Sequence, residues 1–162
     1  MKLAFNMKTH NILSNIEFKT HLGNNSRLLG IDPGKKNVGI AVCDENQIVA
    51  TPLKNITKGS FNEMLDEIVQ IIEDNSIKGI VIGNPINMDG SEGRSSQSAL
   101  DLAKNLSKII TIPITLWDER LSSSGSFKIS SKLGINTSKR VKNLDKNAAA
   151  FILQGAIDFF TN

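Results

Sequence analysis

An apolar run ending in a carboxylate sets the frame for everything after it: Arg27-Leu28-Leu29-Gly30-Ile31-Asp32, punctuated at once by Pro33-Gly34. Pro-Gly ends regular structure, and a second apolar run, Val38-Gly39-Ile40-Ala41-Val42-Cys43, follows directly. Two strands joined by so short a connection pair antiparallel, because a parallel pair needs a crossover of a dozen residues or more. Asp44-Glu45-Asn46 reads as the next turn and Gln47 to Leu53 as a third strand, so the chain opens on an antiparallel meander.

The pattern then changes period. From Ser60 to Asp74, Phe61, Met64, Leu65, Ile68, Ile71 and Ile72 recur at helical spacings, and Ser60 with Glu63 has the spacing of a capping box. Lys78 to Gly83 is a short apolar strand of the buried type. Asn84 to Gly93 is a polar loop, Ser95 to Ile109 a second helix, and Pro113 to Trp117 a fifth strand. Residues 122–143 are rich in Ser and Lys and read as loop with helical pieces; Leu144 to Phe160 is a final helix. Strand-helix-strand units favour parallel pairing in the later part. The class is α/β: a mixed five-stranded sheet, antiparallel meander plus parallel strands, flanked by helices. The order β-β-β-α-β-α-β-α is the RNase H-like one.

The length of 162 residues suits one domain around one core. Its expected extent is 28–162. Residues 1–27, rich in Asn, Lys, Ser and Thr, are expected to form a poorly ordered extension with a short helix from about Ile12 to Thr20. Cys43 is the single cysteine, so neither an internal disulfide nor a thiolate metal site can form. It reads as a small buried hydrophobe, and the expected setting is cytoplasmic and reducing. No apolar stretch approaches the ~20 residues of a membrane helix, and Met1 to Phe5 turns polar too soon for a signal peptide. Aromatics make up 5% of the chain, which argues against base-stacking platforms. The net charge of +3 is compatible with a nucleic-acid partner without requiring one.

Ligands of open sheets sit beyond the carboxyl ends of the strands. Strand one ends in Asp32, the fifth strand runs into Trp117-Asp118-Glu119-Arg120, and the last helix opens with Asp145 beside Ala148, Ala149 and Ala150. Hard cations such as Mg²⁺ and Mn²⁺ take oxygen ligands. Two of them about 4 Å apart can activate a water and stabilise a leaving oxygen in phosphodiester hydrolysis. Asp32, Glu119 and Asp145 meet that need if the fold gathers them, with Asp118 the alternative to Glu119. Singly, each has an ordinary explanation: a turn Asp, a solvated loop, a helix N-cap.

Four segments make the sequence recognisable. Leu29-Gly30-Ile31-Asp32-Pro33-Gly34-Lys35-Lys36-Asn37-Val38-Gly39 resembles the opening motif of the YqgF family of pre-16S ribosomal RNA nucleases, relatives of Holliday junction resolvases. Gly83 to Gly93 resembles its second motif, Trp117 to Ser122 its third, and Leu144 to Gln154 its last. The four occur in order over about residues 28–160. The resemblance implies an RNase H-like fold and a role in maturing small-subunit ribosomal RNA. It places metal binding on Asp32 and Asp145, and metal binding or water activation on Glu119. Asn37 stands where the family usually has Arg, and Asn84 interrupts the usual Gly-Leu-Pro.

Basic residues near these carboxylates are candidate phosphate contacts: Lys35 and Lys36 in the first turn, Arg94, Arg120, and Lys139, Arg140 and Lys142 ahead of Asp145. The expectation is therefore a nuclease using Mg²⁺ or Mn²⁺ on pre-16S ribosomal RNA, within ribosome precursor particles, as a monomer or homodimer. A branched-DNA resolvase and a non-catalytic RNA-binding assembly factor are the competing readings. An actin-like phosphotransferase would need two such domains, more than this length holds.

Overall fold

A computed structural model of the chain describes residues 11–23, 25–87, 89–121 and 144–161, with 144–147 described by backbone alone. The elements run β1 (Ile12–Leu13), α1 (Asn15–His21), β2 (Arg27–Pro33), β3 (Asn37–Cys43), β4 (Ala50–Thr57), α2 (Phe61–Asp74), β5 (Ile77–Asn84), α3 (Arg94–Ser107), β6 (Ile114–Asp118) and α4 (Leu144–Thr161). One mixed sheet has the strand order β1-β6-β5-β2-β3-β4. β2, β5 and β6 run parallel; β3 and β4 complete the meander antiparallel.

Alternation along β2 explains the two layers. Leu29 and Ile31 join α2 residues such as Ile68 and α3 residues such as Leu106 in one core. Leu28, one step out of phase, lies in the opposite core with Ala149, Leu153 and Ile157 of α4. The α4 layer comes very close to the sheet: a Cβ on Gly30 would stand 2.7 Å from the Leu153 Cβ and 3.0 Å from the Ala149 carbonyl oxygen. Only glycine allows that approach. Ser60 is the N-cap of α2, its hydroxyl accepting from the Glu63 N–H.

Among the described residues the sheet has six strands, not five. The extra one, β1, pairs parallel with β6 inside the segment expected to be a loose extension. Asn11 anchors it, its Nδ2 donating to the carbonyls of Ile110 and Ile112 and its Oδ1 accepting from the Ser107 hydroxyl. The expected short helix is α1, capped by Ser14, whose hydroxyl accepts from the Glu17 N–H at 3.2 Å. Phe18 is fully buried between the sheet and α4, 5.3 Å from Phe160 ring to ring. Residues 11–23 are thus built into the domain by one aromatic anchor and one asparagine, too sparse a pattern to show as periodicity.

The third strand also lies later than expected. Asp44 organises residues 46–49 as a side-chain-capped turn, its carboxylate accepting from the N–H groups of Asn46, Ile48 and Val49. Gln47 there adopts φ +56°. The ladder then continues through Lys54 and Asn55 to Thr57, polar positions that an edge strand tolerates. Cys43 is buried, as expected of a small hydrophobe. No helix among the described residues is long and apolar enough to cross a membrane.

Candidate active site

Strand parity decides which carboxylates meet. On β2, Asp32 follows Leu28 and Gly30 and faces α4. On β5, Gly83 lies on that same face: a Cβ there would stand 2.5 Å from Ile152 of α4. On β6, Trp117 packs in the α4 core, so Glu119, two residues on, is in phase with it, whereas Asp118 is out of phase. Pairing of β5 with β6 extends past the strand end, the Glu119 N–H donating to the Asn84 carbonyl at 3.2 Å. Glu119 therefore turns back over Gly83: the missing Cβ would lie 2.6 Å from its Oε1. A Cβ at 83 would force the Glu119 carboxylate and the tip of Ile152 to shift.

Asp32 and Glu119 consequently face each other across a glycine at the carboxyl edge of the sheet. Burial, then the Asp32 charge, then the Asp118 charge push the Glu119 carboxyl up to about 7. Two half-buried carboxylates that repel each other fit a divalent cation, which would replace the repulsion by attraction and supply the oxygen-rich coordination such ions favour. Among the described residues no three acidic, His or Cys side chains group as a metal site. Asp145 lies in the first turn of α4, one turn before Ala149, but its side chain is outside the described residues.

Asp118 and Arg120 form a separate unit. The Asp118 carboxylate accepts from the Arg120 N–H at 3.0 Å, from Nε at 3.1 Å to each oxygen, and from Nη2 at 2.8 Å. This guanidinium holds the Asp118 carboxyl below the ordinary range. The ambiguity between Asp118 and Glu119 is thereby a difference of facing: Asp118 is bound to its own arginine, and Glu119 meets Asp32.

The other described basic candidates lie on the segments that follow β2 and open α3. Lys35 and Lys36 are exposed in the β2–β3 turn, immediately after Asp32. Arg94 is exposed at the first residue of α3. Lys139, Arg140 and Lys142 lie outside the described residues. The loop before α3 is closed by its own hydrogen bonds: Asn87 pairs with Ser91, and Asp89 accepts from the Ser91 hydroxyl and N–H, which lowers its carboxyl below the usual range. Asn84, one of the departures from the family motif, is structurally employed. Its Oδ1 accepts from the buried Ser96 hydroxyl at 2.6 Å, tying the end of β5 to α3.

The model of the family described as "RuvX: Holliday junction resolvase" matches residues 26–159. The chain belongs to this family. A relative from Pelagibacter ubique (strain HTCC1062), named "Putative pre-16S rRNA nuclease", is 57% identical over 90% of this chain and 97% of its own length. Another of that name, from Ruegeria pomeroyi, is 42% identical over 90% of this chain and 95% of its own. The family is therefore one of nucleases, as the four motifs implied. Among solved structures, T. thermophilus RuvC in complex with a Holliday junction substrate matches with a TM-score of 0.50 at 12% identity, covering 85% of this chain and 96% of that one. The yeast mitochondrial Holliday junction resolvase Ydc2 matches with a TM-score of 0.50 at 14% identity, covering 91% and 84%. Those likenesses establish the RNase H-like fold.

Strand register brings one further polar residue, Asn55, to this face. Asp32 pairs with Gly39 and Gly39 with Asn55, so Asn55 lies in the same cross-strand row and on the same face as Asp32. Its Oδ1 is buried without a hydrogen-bond partner. Lone Asn residues in polar strands carry no sequence signal, and only the register reveals this one.

Proposed function

We propose that the chain is a nuclease dependent on Mg²⁺ or Mn²⁺ that matures pre-16S ribosomal RNA by phosphodiester hydrolysis. The observation that carries the reading is the pair Asp32 and Glu119, brought to one face over Gly83, with Glu119 raised to about 7. Names borne by relatives sharing up to 57% identity over nearly their whole length favour the ribosomal precursor as substrate.

In this reading Asp32, Glu119 and Asp145 hold the cations. Bound divalent ions lower the pKa of a coordinated water and stabilise charge on the leaving oxygen. Asp32, on the rigid central strand, would hold a cation in a fixed position relative to Glu119. Glu119, whose carboxyl titrates near neutrality when no cation faces it, either ligates or takes the proton of the attacking water. Lys35, Lys36, Arg94 and Arg120, with Lys139, Arg140 and Lys142, hold the backbone of the substrate. The partners are precursor ribosomal particles in the cytoplasm.

A branched-DNA resolvase is the second reading. The family description and the fold shared with junction-bound RuvC favour it. The test is cleavage of a pre-16S fragment and a four-way DNA junction side by side, with Mn²⁺, with Mg²⁺ and with EDTA. Metal-dependent cutting of the RNA and not the junction supports the proposal; the reverse selects the resolvase. RNA binding without cutting under any metal would select a non-catalytic assembly factor.

A further inference from the structure

The four hydrogen bonds between Asp118 and Arg120 join residues two apart at the solvent-facing end of β6. The ion pair is solvent-accessible, with 21% of the Asp118 side chain and 38% of the Arg120 side chain exposed. Pairs of this kind add little to stability. What the geometry does supply is orientation. Both carboxylate oxygens are committed to the Nε and Nη2 edge of the guanidinium, and one also receives the Arg120 backbone N–H. The backbone and the side chain of Arg120 are thus fixed by one group. Nη1 and the outer edge of the fork point away from the clamp. Nη1 stands near the loop before α3, where a Cβ on Gly90 would be 3.9 Å from it, Gly90 itself takes φ +88°, and the Asp89 carboxylate also acts on the guanidinium.

We propose that Asp118 is a positioning residue: it holds Arg120 with its outer N–H edge presented to a phosphate that flanks the cut, on the side of β6 away from Asp32 and Glu119. A planar guanidinium recognises phosphate by two parallel N–H groups, and a guanidinium already held in one rotamer loses less freedom when it does so. The clamp therefore strengthens substrate binding even though it adds a negative charge beside the substrate. This inference rests on the nucleic-acid substrate proposed above, but not on cleavage.

The sign of one substitution separates positioning from plain electrostatics. Deleting a carboxylate near a bound polyanion tightens binding by charge alone, whereas deleting a clamp loosens it. Binding of a fluorescent single-stranded pre-16S fragment would be measured in EDTA by anisotropy, for the wild type, Asp118→Ala, Asp118→Asn, Arg120→Ala and the double variant, with melts confirming folding. Arg120→Ala is expected to weaken binding about tenfold and to reduce the slope of log affinity against log salt by about 0.7, one phosphate contact on a single strand. Asp118→Ala is expected to weaken it about three- to tenfold, Asp118→Asn less, and the double variant no more than Arg120→Ala. Tighter binding by Asp118→Ala, additive effects in the double variant, or no effect of Arg120→Ala overturns the proposal. Because the readout is binding without metal, failure of the protein to cleave would refute the nuclease reading and leave this one standing.

Discussion

Replacing Glu119 by Gln is expected to stabilise the cation-free protein above neutral pH. The carboxyl moves from an ordinary 4.5 to about 7 in the folded chain, through burial first and the Asp32 charge second. Between those two values the folded state holds more protons than the unfolded one, so stability falls as pH rises through the window. Below pH 4.5 the group is neutral in both states and imposes no penalty; above pH 7 the penalty is complete. At about 1.4 kcal/mol per pH unit the gap corresponds to at most about 3 kcal/mol. Glu119 keeps some solvent contact, which reduces the figure to about 1–2 kcal/mol. Gln is isosteric and never ionises. At pH 8 in EDTA, Glu119→Gln should therefore melt about 2–8 °C above the wild type, with the difference vanishing near pH 4.5. Added Mn²⁺ should raise the wild-type melting temperature more than that of the variant, because binding to the folded state stabilises by mass action. A variant that melts at or below the wild type at pH 8, or a difference that does not change with pH, would refute the argument that Glu119 is a mutually repelled, half-buried acid.

Three further outcomes follow from the packing. Gly83→Ala puts a methyl within 2.6 Å of Glu119 Oε1 and 2.5 Å of Ile152 Cδ1, so it should cost about 1–3 kcal/mol in denaturant melts and weaken Mn²⁺ binding measured by calorimetry. Asn55→Val removes a buried, unpaired acceptor from a strand position and should raise stability by about 1 kcal/mol, measured by the same melts. Phe18→Ala should cost about 3–5 kcal/mol, because its fully buried ring joins α1 to the sheet and α4; a variant as stable as the wild type would show that α1 is not part of the core.

The sheet was largely legible because its strands are apolar where they are covered on both faces. Leu28 to Ile31 and Ile80 to Ile82 announce themselves, and the helical period of α2 is unbroken from Phe61 to Ile72. β1 was not, since two residues make no pattern and its anchor is the polar Asn11. β4 was misplaced because Asp44 builds a turn out of apolar Ile48 and Val49, leaving both exposed, while the true ladder runs through Lys54 and Asn55. In the site, positions at element ends pointed to Asp32, Glu119 and Asp145, with Asp118 left as the alternative to Glu119. What separates Asp118 from Glu119 is which face α4 covers, a tertiary fact that one sequence does not carry. The glycine beneath Glu119 was visible as a residue, but its purpose was not.

Asp32 is the residue on which the proposed chemistry depends most. Wild type and Asp32→Asn would be assayed on a pre-16S RNA fragment with Mn²⁺ and with EDTA, after melts show both to be folded. The prediction is cutting by the wild type that requires Mn²⁺ and a loss of at least about a thousandfold in the variant, since a ligand of the reacting cations is gone. A variant that cuts as well as the wild type would contradict the assignment of the site to Asp32 and Glu119.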